Sequence, residues 1–205
     1  MRLFIALDID DEIRGRIVRF VEGVIGLAPD ARWARPESLH VTLKFIGEQP
    51  EPMVEEIKRA LRTIEASTVA LQFRGYGFFP TAKAPRVFWV GIEAGTELAT
   101  LAAMVDQQTA RLGILKEERA FSPHLTLARG GARAGHSSGS PQRQKEDSPN
   151  RSFQRLQEKL AALPTPEFGT MTAREFFLYQ SQLSPRGSKY TKLARFELRR
   201  LAIGN

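Results

Sequence analysis

The sequence of 205 residues has no cysteine, only three histidines and no long apolar run. The absence of cysteine excludes disulfides, thiolate catalysis and cysteine-based metal sites. No apolar run approaches the roughly 20 residues that cross a bilayer, and the segment from Met1 to Asp8 lacks the long apolar region of a signal peptide. We therefore expect a cytoplasmic protein that makes no membrane contact.

The composition is that of an ordinary globular protein, with 42% hydrophobic and 26% charged residues. At this length the chain is able to bury a sizeable core as one large or two small domains. Lysine and arginine exceed the acidic residues and give a net charge of +7. Such an excess favours anionic partners, nucleic acid first, although many basic proteins bind none.

The segment from His40 to Gly47 has the local features of a β-strand, since Val, Thr, Phe and Ile are enriched and polar residues alternate with apolar ones. Strict alternation gives this strand a polar face and an apolar face. The polar face carries His40, Thr42 and Lys44. The apolar face carries Val41, Leu43 and Phe45. We expect the apolar face to pack and the polar face to be available for chemistry.

The same pattern returns in the segment from Ser122 to Arg129, which repeats the His-x-Thr-Leu core. A single strand histidine is usually a structural residue. A duplicated His-x-Thr on polar strand faces favours a functional role, because packing alone has no use for the pair. We expect the rings of His40 and His124 to line one cleft.

The order of predicted elements also repeats. Each half runs strand, helix, His-x-Thr strand, helix and extended segment, which suggests two pseudo-symmetric lobes that share a cleft. Near the end of the chain, residues 171–183 and 190–201 alternate as two antiparallel strands. We expect residues 1–205 to form a single bilobal domain.

Residues 130–150 interrupt the second half with a run of Gly, Ser, Arg and Gln. With almost no apolar residue, this segment cannot bury enough apolar surface to offset the conformational entropy lost on ordering. We therefore expect a flexible surface insertion. Its His136 is expected to be exposed and without a role.

Two imidazoles facing one cleft supply a general acid and a general base that work near neutral pH. Thr42 and Thr126, two residues further on the same faces, are able to donate to an anionic oxygen. With a basic side chain they would form a clamp for a phosphoryl transition state. The set suits in-line attack on phosphorus, but the two motifs are too alike to assign acid and base.

Competing chemistries fit poorly. No His-Glu-x-x-His occurs and no carboxylates cluster beside the motifs, so we expect no metal ion and no other cofactor. The Gly-x-Ser-x-Gly elbow of serine hydrolases and the glycine motifs of nucleotide-binding folds are absent as well.

His40-Val41-Thr42-Leu43 and His124-Leu125-Thr126-Leu127, with Trp33, Phe45-Ile46-Gly47 and Ser122-Pro123 around them, resemble the two-histidine (2H) phosphoesterases. Within that superfamily the chain is most similar to the bacterial and archaeal RNA 2′,3′-cyclic phosphodiesterases, the LigT-like proteins once called 2′-5′ RNA ligases. The resemblance extends over nearly the whole chain except residues 130–150, which are longer and more polar than the family pattern.

The resemblance implies an α+β fold of two lobes, with antiparallel sheets flanked by helices and the active-site cleft between them. It further implies hydrolysis of a terminal 2′,3′-cyclic phosphate to a 2′-phosphate, with His40 as proton donor and His124 as proton acceptor. Thr42 and Thr126 match the phosphate-binding threonines, and Arg129 matches the basic residue after the second motif. Strict alternation would point Arg129 away from the cleft, so a strand end or a bulge must turn it inward.

Three functions remain open from the sequence. The first is metal-independent hydrolysis of a 2′,3′-cyclic phosphate on RNA or a nucleotide, by a protein we expect to be a monomer. The second is the reverse reaction, 2′-5′ RNA ligation, which uses the same acid and base. The third is a non-catalytic RNA-binding module. Four aromatic residues are candidates to stack on a base, although core packing is favoured for each: Phe4, Trp33, Trp89 and Tyr190.

Overall fold

The chain folds into two β-sheets and four helices within residues 1–130, 153–184 and 187–199, the parts that the computed structural model describes. The helices are α1 (Asp11–Val24), α2 (Glu51–Arg62), α3 (Thr96–Ala110) and α4 (Gln154–Ala161). The strands are β1 (Arg2–Leu7), β2 (Arg32–Trp33), β3 (Val41–Glu48), β4 (Val69–Phe79), β5 (Val87–Ala94), β6 (His124–Arg129), β7 (Glu167–Ala173), β8 (Glu175–Ser184) and β9 (Gly187–Glu197).

Both sheets are antiparallel throughout. The first has the strand order β3-β1-β8-β9 and the second the order β2-β6-β5-β4-β7. In each sheet the His-x-Thr strand lies beside the strand that begins its half of the sequence, β3 beside β1 and β6 beside β5. The predicted α+β fold with two pseudo-symmetric lobes is therefore confirmed.

The two halves exchange strands. β4 follows the helices of the first half but pairs with β5 in the second sheet, and β8 returns to pair with β1 in the first sheet. The prediction of one strand over residues 171–183 is wrong, because the chain leaves the second sheet at Arg174 and enters the first. Residues typical of strands stand on both sides of Arg174, so the sequence does not record the change of sheet.

A continuous cluster of buried apolar side chains joins both sheets and all four helices. Helix α2 illustrates how the sequence produces it. Its apolar residues Val54, Ile57 and Leu61 recur at helical spacing and are buried, whereas glutamate, lysine and arginine occupy the opposite side. The predicted insertion is outside the described residues from Gly131 onward, as is His136. Every helix among the described residues is too short or too polar to cross a bilayer.

One buried ion pair connects the two halves. The Lys44 ammonium on β3 lies 2.5 Å from the Asp106 carboxylate on α3 and donates to the Leu115 carbonyl at 2.9 Å. Its side chain is only 2% exposed. Burial alone would raise the pKa of Asp106, but hydrogen bonds from Lys44 and the Glu117 N–H outweigh burial and lower it. Asp106 therefore stays ionised beside the Lys44 ammonium, and the pair fixes β3 against the helix of the other half.

We expect the protein to unfold as one unit, because its two sheets share one hydrophobic core. Both tryptophans, Trp33 and Trp89, lie in the second sheet, so their fluorescence reports on that sheet alone. Urea transitions followed by fluorescence and by far-UV circular dichroism should coincide. Two separate midpoints would mean that the lobes are independent domains.

The substitution Asp106→Asn should lower the free energy of unfolding by about 3 kcal/mol, because it leaves the buried Lys44 ammonium without a countercharge. Urea denaturation measures this change. The matched control is Glu56→Gln, which breaks the exposed Arg59–Glu56 pair on α2 and should cost no more than about 0.5 kcal/mol. Equal effects of the two substitutions would contradict the assigned importance of the buried pair.

Candidate active site

The two histidines are held in the same way. His40 Nδ1 lies 2.6 Å from the Ser38 carbonyl oxygen, and His124 Nδ1 lies 2.8 Å from the Ser122 carbonyl oxygen. A carbonyl only accepts hydrogen bonds, so each Nδ1 carries a proton and donates it. Nε2 of each ring is thereby left for proton transfer. The acceptor is a backbone carbonyl, which every residue type supplies, so the sequence pattern carries no signal for this arrangement.

Both motif strands contain an irregularity at the same place. In the pairing of β1 with β3, Ile5 lies opposite Lys44 and Ala6 opposite Thr42, so Leu43 has no partner. In the pairing of β5 with β6, Leu127 is skipped in the same way. An extra residue in one strand of a pair is a β-bulge, and it reverses which face the following residues occupy.

The bulges change the predicted faces. Two successive residues after each threonine are buried, and the next residue is exposed: Leu43, Lys44 and then Phe45 in β3, and Leu127, Ala128 and then Arg129 in β6. The prediction that Lys44 shares the polar face and Phe45 the apolar face is therefore wrong. Beyond the bulges, Phe45 and Arg129 return to the face that carries Thr42 and Thr126.

Aromatic rings pack against each histidine. The His40 ring centroid lies 4.7 Å from that of Phe4, which is itself buried. The His124 ring centroid lies 4.9 Å from that of Phe79 and 6.2 Å from that of Trp89. Trp89 covers Gly77 so closely that a Cβ there would lie 2.1 Å from its ring. These contacts restrict the orientation of both imidazoles.

Charge and burial lower the pKa of both histidines. The pKa of His40 is lowered to about 4, and burial is the main cause. The Ser38 carbonyl and the charge of Asp8 raise this pKa. The positive charges of Arg129 and His124 lower it further. Burial also lowers the pKa of His124, and Arg129 acts in the same direction. The positive charge of Arg129 thus lowers the pKa of both rings, and that of His124 lowers the pKa of His40.

The remaining candidates have distinct positions. Thr42 and Thr126 are half-buried on the motif strands. Arg129 takes part in none of the ion pairs within residues 1–130, 153–184 and 187–199. Among the aromatic candidates, Trp33 is committed to structure, since its indole N–H donates to the Ala28 carbonyl and its ring packs edge-on against Phe88. In the same described part of the chain, no three His, Asp or Glu residues are grouped so as to hold a metal ion.

Relatives named RNA 2′,3′-cyclic phosphodiesterase match the chain over most of its length. One from Archaeoglobus fulgidus is 32% identical over 96% of this chain and the whole of that relative. One from Thermus thermophilus is 31% identical over 97% of this chain and 91% of that relative.

Solved structures match the fold to a similar extent. Escherichia coli LigT complexed with 3′-AMP has a TM-score of 0.73 and 27% identity, covering 96% of this chain and 97% of that one. The protein TT0787 of Thermus thermophilus has a TM-score of 0.74 and 26% identity, covering 98% of this chain and 99% of that one.

The family model described as LigT like Phosphoesterase matches the chain twice, over residues 7–89 and again over residues 90–190. Each match contains one His-x-Thr strand, which agrees with the duplicated pairing of β1 with β3 and of β5 with β6. The two matches together include most of the sequence, and the chain belongs to the LigT-like family of two-histidine phosphoesterases.

Proposed function

We propose that this protein hydrolyses the terminal 2′,3′-cyclic phosphate of RNA to a 2′-phosphate, with His40 as proton donor, His124 as proton acceptor and no metal ion. The observation that carries the proposal is the pair of identically held imidazoles under the charge of one arginine. The names of the relatives support the substrate class. We further propose that the chain acts as a monomeric single domain in the cytoplasm.

The reaction needs one proton on the histidine pair. Neutral His124 takes a proton from water through Nε2 as the water oxygen attacks phosphorus. The bond from phosphorus to the ribose 3′ oxygen breaks in line, and protonated His40 gives its Nε2 proton to that oxygen. The products are a 2′-phosphomonoester and a free 3′ hydroxyl, and a proton transfer between the rings or with solvent restores the starting state.

Thr42, Thr126 and Arg129 would stabilise the charge that develops on the phosphoryl oxygens. Donors fixed in place before the reaction contribute most in a site with limited water, since they need no reorganisation as charge appears. Arg129 has a second effect. Its charge disfavours protonation of both rings in the free protein, and a bound phosphate anion would offset that charge and raise both pKa values.

Hydrolysis is the expected direction because water is in large excess over any 5′-hydroxyl acceptor. Ligation would use the same two histidines in reverse, by microscopic reversibility. A non-catalytic RNA-binding role is disfavoured by the two imidazoles, whose arrangement has no use in backbone binding.

His40→Ala and His124→Ala should each lower kcat/KM for an RNA ending in a 2′,3′-cyclic phosphate by about 10²- to 10⁴-fold, the usual contribution of a positioned acid or base. The assay contains EDTA, and chromatography against standards identifies the 2′-phosphate isomer. His136→Ala, the third histidine, is the matched control and should leave kcat/KM unchanged.

Several outcomes would contradict the proposal. Loss of activity in EDTA would require a metal ion, and turnover untouched by both motif substitutions would remove the histidines from the chemistry. His40→Ala should keep its affinity for RNA, measured by fluorescence anisotropy, so a loss of that affinity would also contradict the proposal. A ligated product in the presence of 5′-hydroxyl RNA would favour the reverse reaction.

The dependence of kcat/KM on pH should have an acidic optimum, between about pH 4 and pH 6.5. Below this range both rings of the free protein are protonated and no base is available. Above it both are neutral and no acid is available, whichever ring performs each role. The profile of kcat should lie at higher pH, because it reports the complex with the phosphate anion. A kcat/KM that still rises above pH 8 would contradict the two-histidine assignment.

Arg129→Gln should shift the alkaline limb of kcat/KM to higher pH while it raises KM, because both histidines lose a neighbouring positive charge. Arg129→Lys keeps the charge and should keep the position of the limb. Arg111→Gln, which removes an exposed side chain that donates to Gln108, is the control for unspecific charge effects, since neither histidine pKa is affected by Arg111. If the alkaline limb of kcat/KM stays at the same pH in Arg129→Gln, the charge of Arg129 does not affect the pKa values of the two histidines.

A further inference from the structure

Asp8 stands next to the proposed proton donor. It directly follows β1, and His40 directly precedes β3. The last pair of these strands joins Leu7 to Val41, so the next position brings Asp8 and His40 side by side. Both side chains also border one cavity of about 460 Å³. We propose that Asp8 is a positioning residue whose carboxylate keeps the proton of the general acid on His40, an inference that rests on the proposed function.

The second lobe has no counterpart of this carboxylate. In the pairing of β5 with β6, Gly91 lies opposite His124 and so takes the place that Asp8 has in the first lobe. A Cβ added to Gly91 would lie 2.4 Å from the Arg74 carbonyl oxygen, a backbone atom of β4. No side chain fits there without a shift of the sheet. The fold therefore allows a carboxylate beside His40 and excludes one from the equivalent position beside His124.

The surroundings of Asp8 hold its carboxylate in place and ionised. Its Oδ1 accepts hydrogen bonds from Arg14 at 2.8 Å and from the Ile9 N–H at 2.9 Å, and its Oδ2 accepts one from Lys192 at 2.6 Å. Burial alone would raise the pKa of Asp8, but these hydrogen bonds and the charge of Lys192 outweigh burial and lower it. Asp8 is therefore still a carboxylate at the pKa of His40, about 4.

A buried proton donor needs a negative charge nearby. Burial disfavours the imidazolium form of His40, and the charges of Arg129 and His124 oppose its protonation as well. The Asp8 carboxylate acts against these effects and raises the pKa of His40. Within the described part of the chain, no carboxylate does the same for His124. The other titratable groups that share the cavity with His40 are Arg14, Glu37, Tyr179, Tyr190 and Lys192.

This asymmetry determines which ring reacts as the acid. The reactive state carries one proton on the histidine pair, and Asp8 favours its location on His40 over His124. At pH 7 both rings of the free protein are mostly neutral, because both pKa values are lowered. The rate then depends on the small fraction of His40 that is protonated, and the charge of Asp8 increases that fraction.

The first test changes the charge of Asp8. Asp8→Asn keeps an oxygen for the Ile9 N–H, and at pH 7 it should lower kcat/KM for adenosine 2′,3′-cyclic phosphate about 3- to 10-fold, as expected for the loss of a neighbouring opposite charge. Asp8→Glu keeps the charge and should stay within about twofold. Asp11→Asn is the matched control, because it also removes a carboxylate beside Arg14 but one outside the cavity, and it should leave kcat/KM unchanged.

A sulfur leaving group separates an effect on the acid from other effects. In the analogue with sulfur in place of the bridging 3′ oxygen, water attacks phosphorus, His124 takes its proton and the P–S bond breaks. The sulfur leaves as a thiolate without a proton from His40, because thiols ionise near pH ~8.5. Asp8→Asn should cost less than about twofold on this analogue, whereas His124→Ala should cost as much as on the oxygen substrate. A chromogenic disulfide measures the released thiol without background, since the protein has no cysteine.

Equal losses on the oxygen and sulfur substrates in Asp8→Asn would assign Asp8 to substrate binding or folding and overturn the inference, as would unchanged activity on the oxygen substrate. NMR titration of the imidazole rings tests the inference without turnover. In Asp8→Asn, His40 should become protonated at a lower pH than in the unchanged protein, with a smaller change at His124. This result would support the role of Asp8 even if the protein hydrolysed neither substrate. The same His40 titration in both proteins would overturn that role even in an active enzyme.

Discussion

The β-bulge after each His-x-Thr-Leu sequence is the constraint on which the site depends. A regular strand alternates faces without exception, so it cannot place a histidine, a threonine and the residue three positions beyond the threonine on one face. By accommodating one unpaired leucine, each strand buries two successive side chains and then returns to the cleft. Arg129 returns by this means to the face that carries Thr126, and Lys44 reaches the core.

The same backbone serves two different roles because equivalent positions carry different side chains. Arg129 in the second motif corresponds to Phe45 in the first, and Ala128 corresponds to Lys44. The histidines differ correspondingly. His40 lies against a charged and aromatic wall, whereas His124 lies against Phe79 and Trp89. The duplication thus supplies two imidazoles that are held alike, and different side chains surround each of them.

The sequence predicted the parts of the fold that depend on composition and periodicity. The segments that carry the two His-x-Thr motifs contain β3 and β6, and α2 lies where apolar residues recur at helical spacing. A bulge was predicted only in the second motif strand, where the resemblance required Arg129 to face the cleft. Hydrophobicity and β-propensity do not reveal a bulge, because an extra residue leaves both unchanged. The division of residues 171–183 at Arg174 was missed for a similar reason: β-propensity indicates a strand but not the sheet to which it belongs. The cavity beside His40 is assembled from residues between Asp8 and Lys192 that no local pattern connects.

The pairing of β1 with β8 affects how the protein is made. Arg2 pairs with Ser181, which lies 179 positions further along the chain, so β1 is synthesised long before its partner. Until then β1 can pair with β3 on one side only, and its other edge exposes backbone groups and apolar side chains. Contacts this distant in sequence slow folding and prolong the exposure of such an edge. This exposure ends only when β8 has been synthesised and pairs with β1.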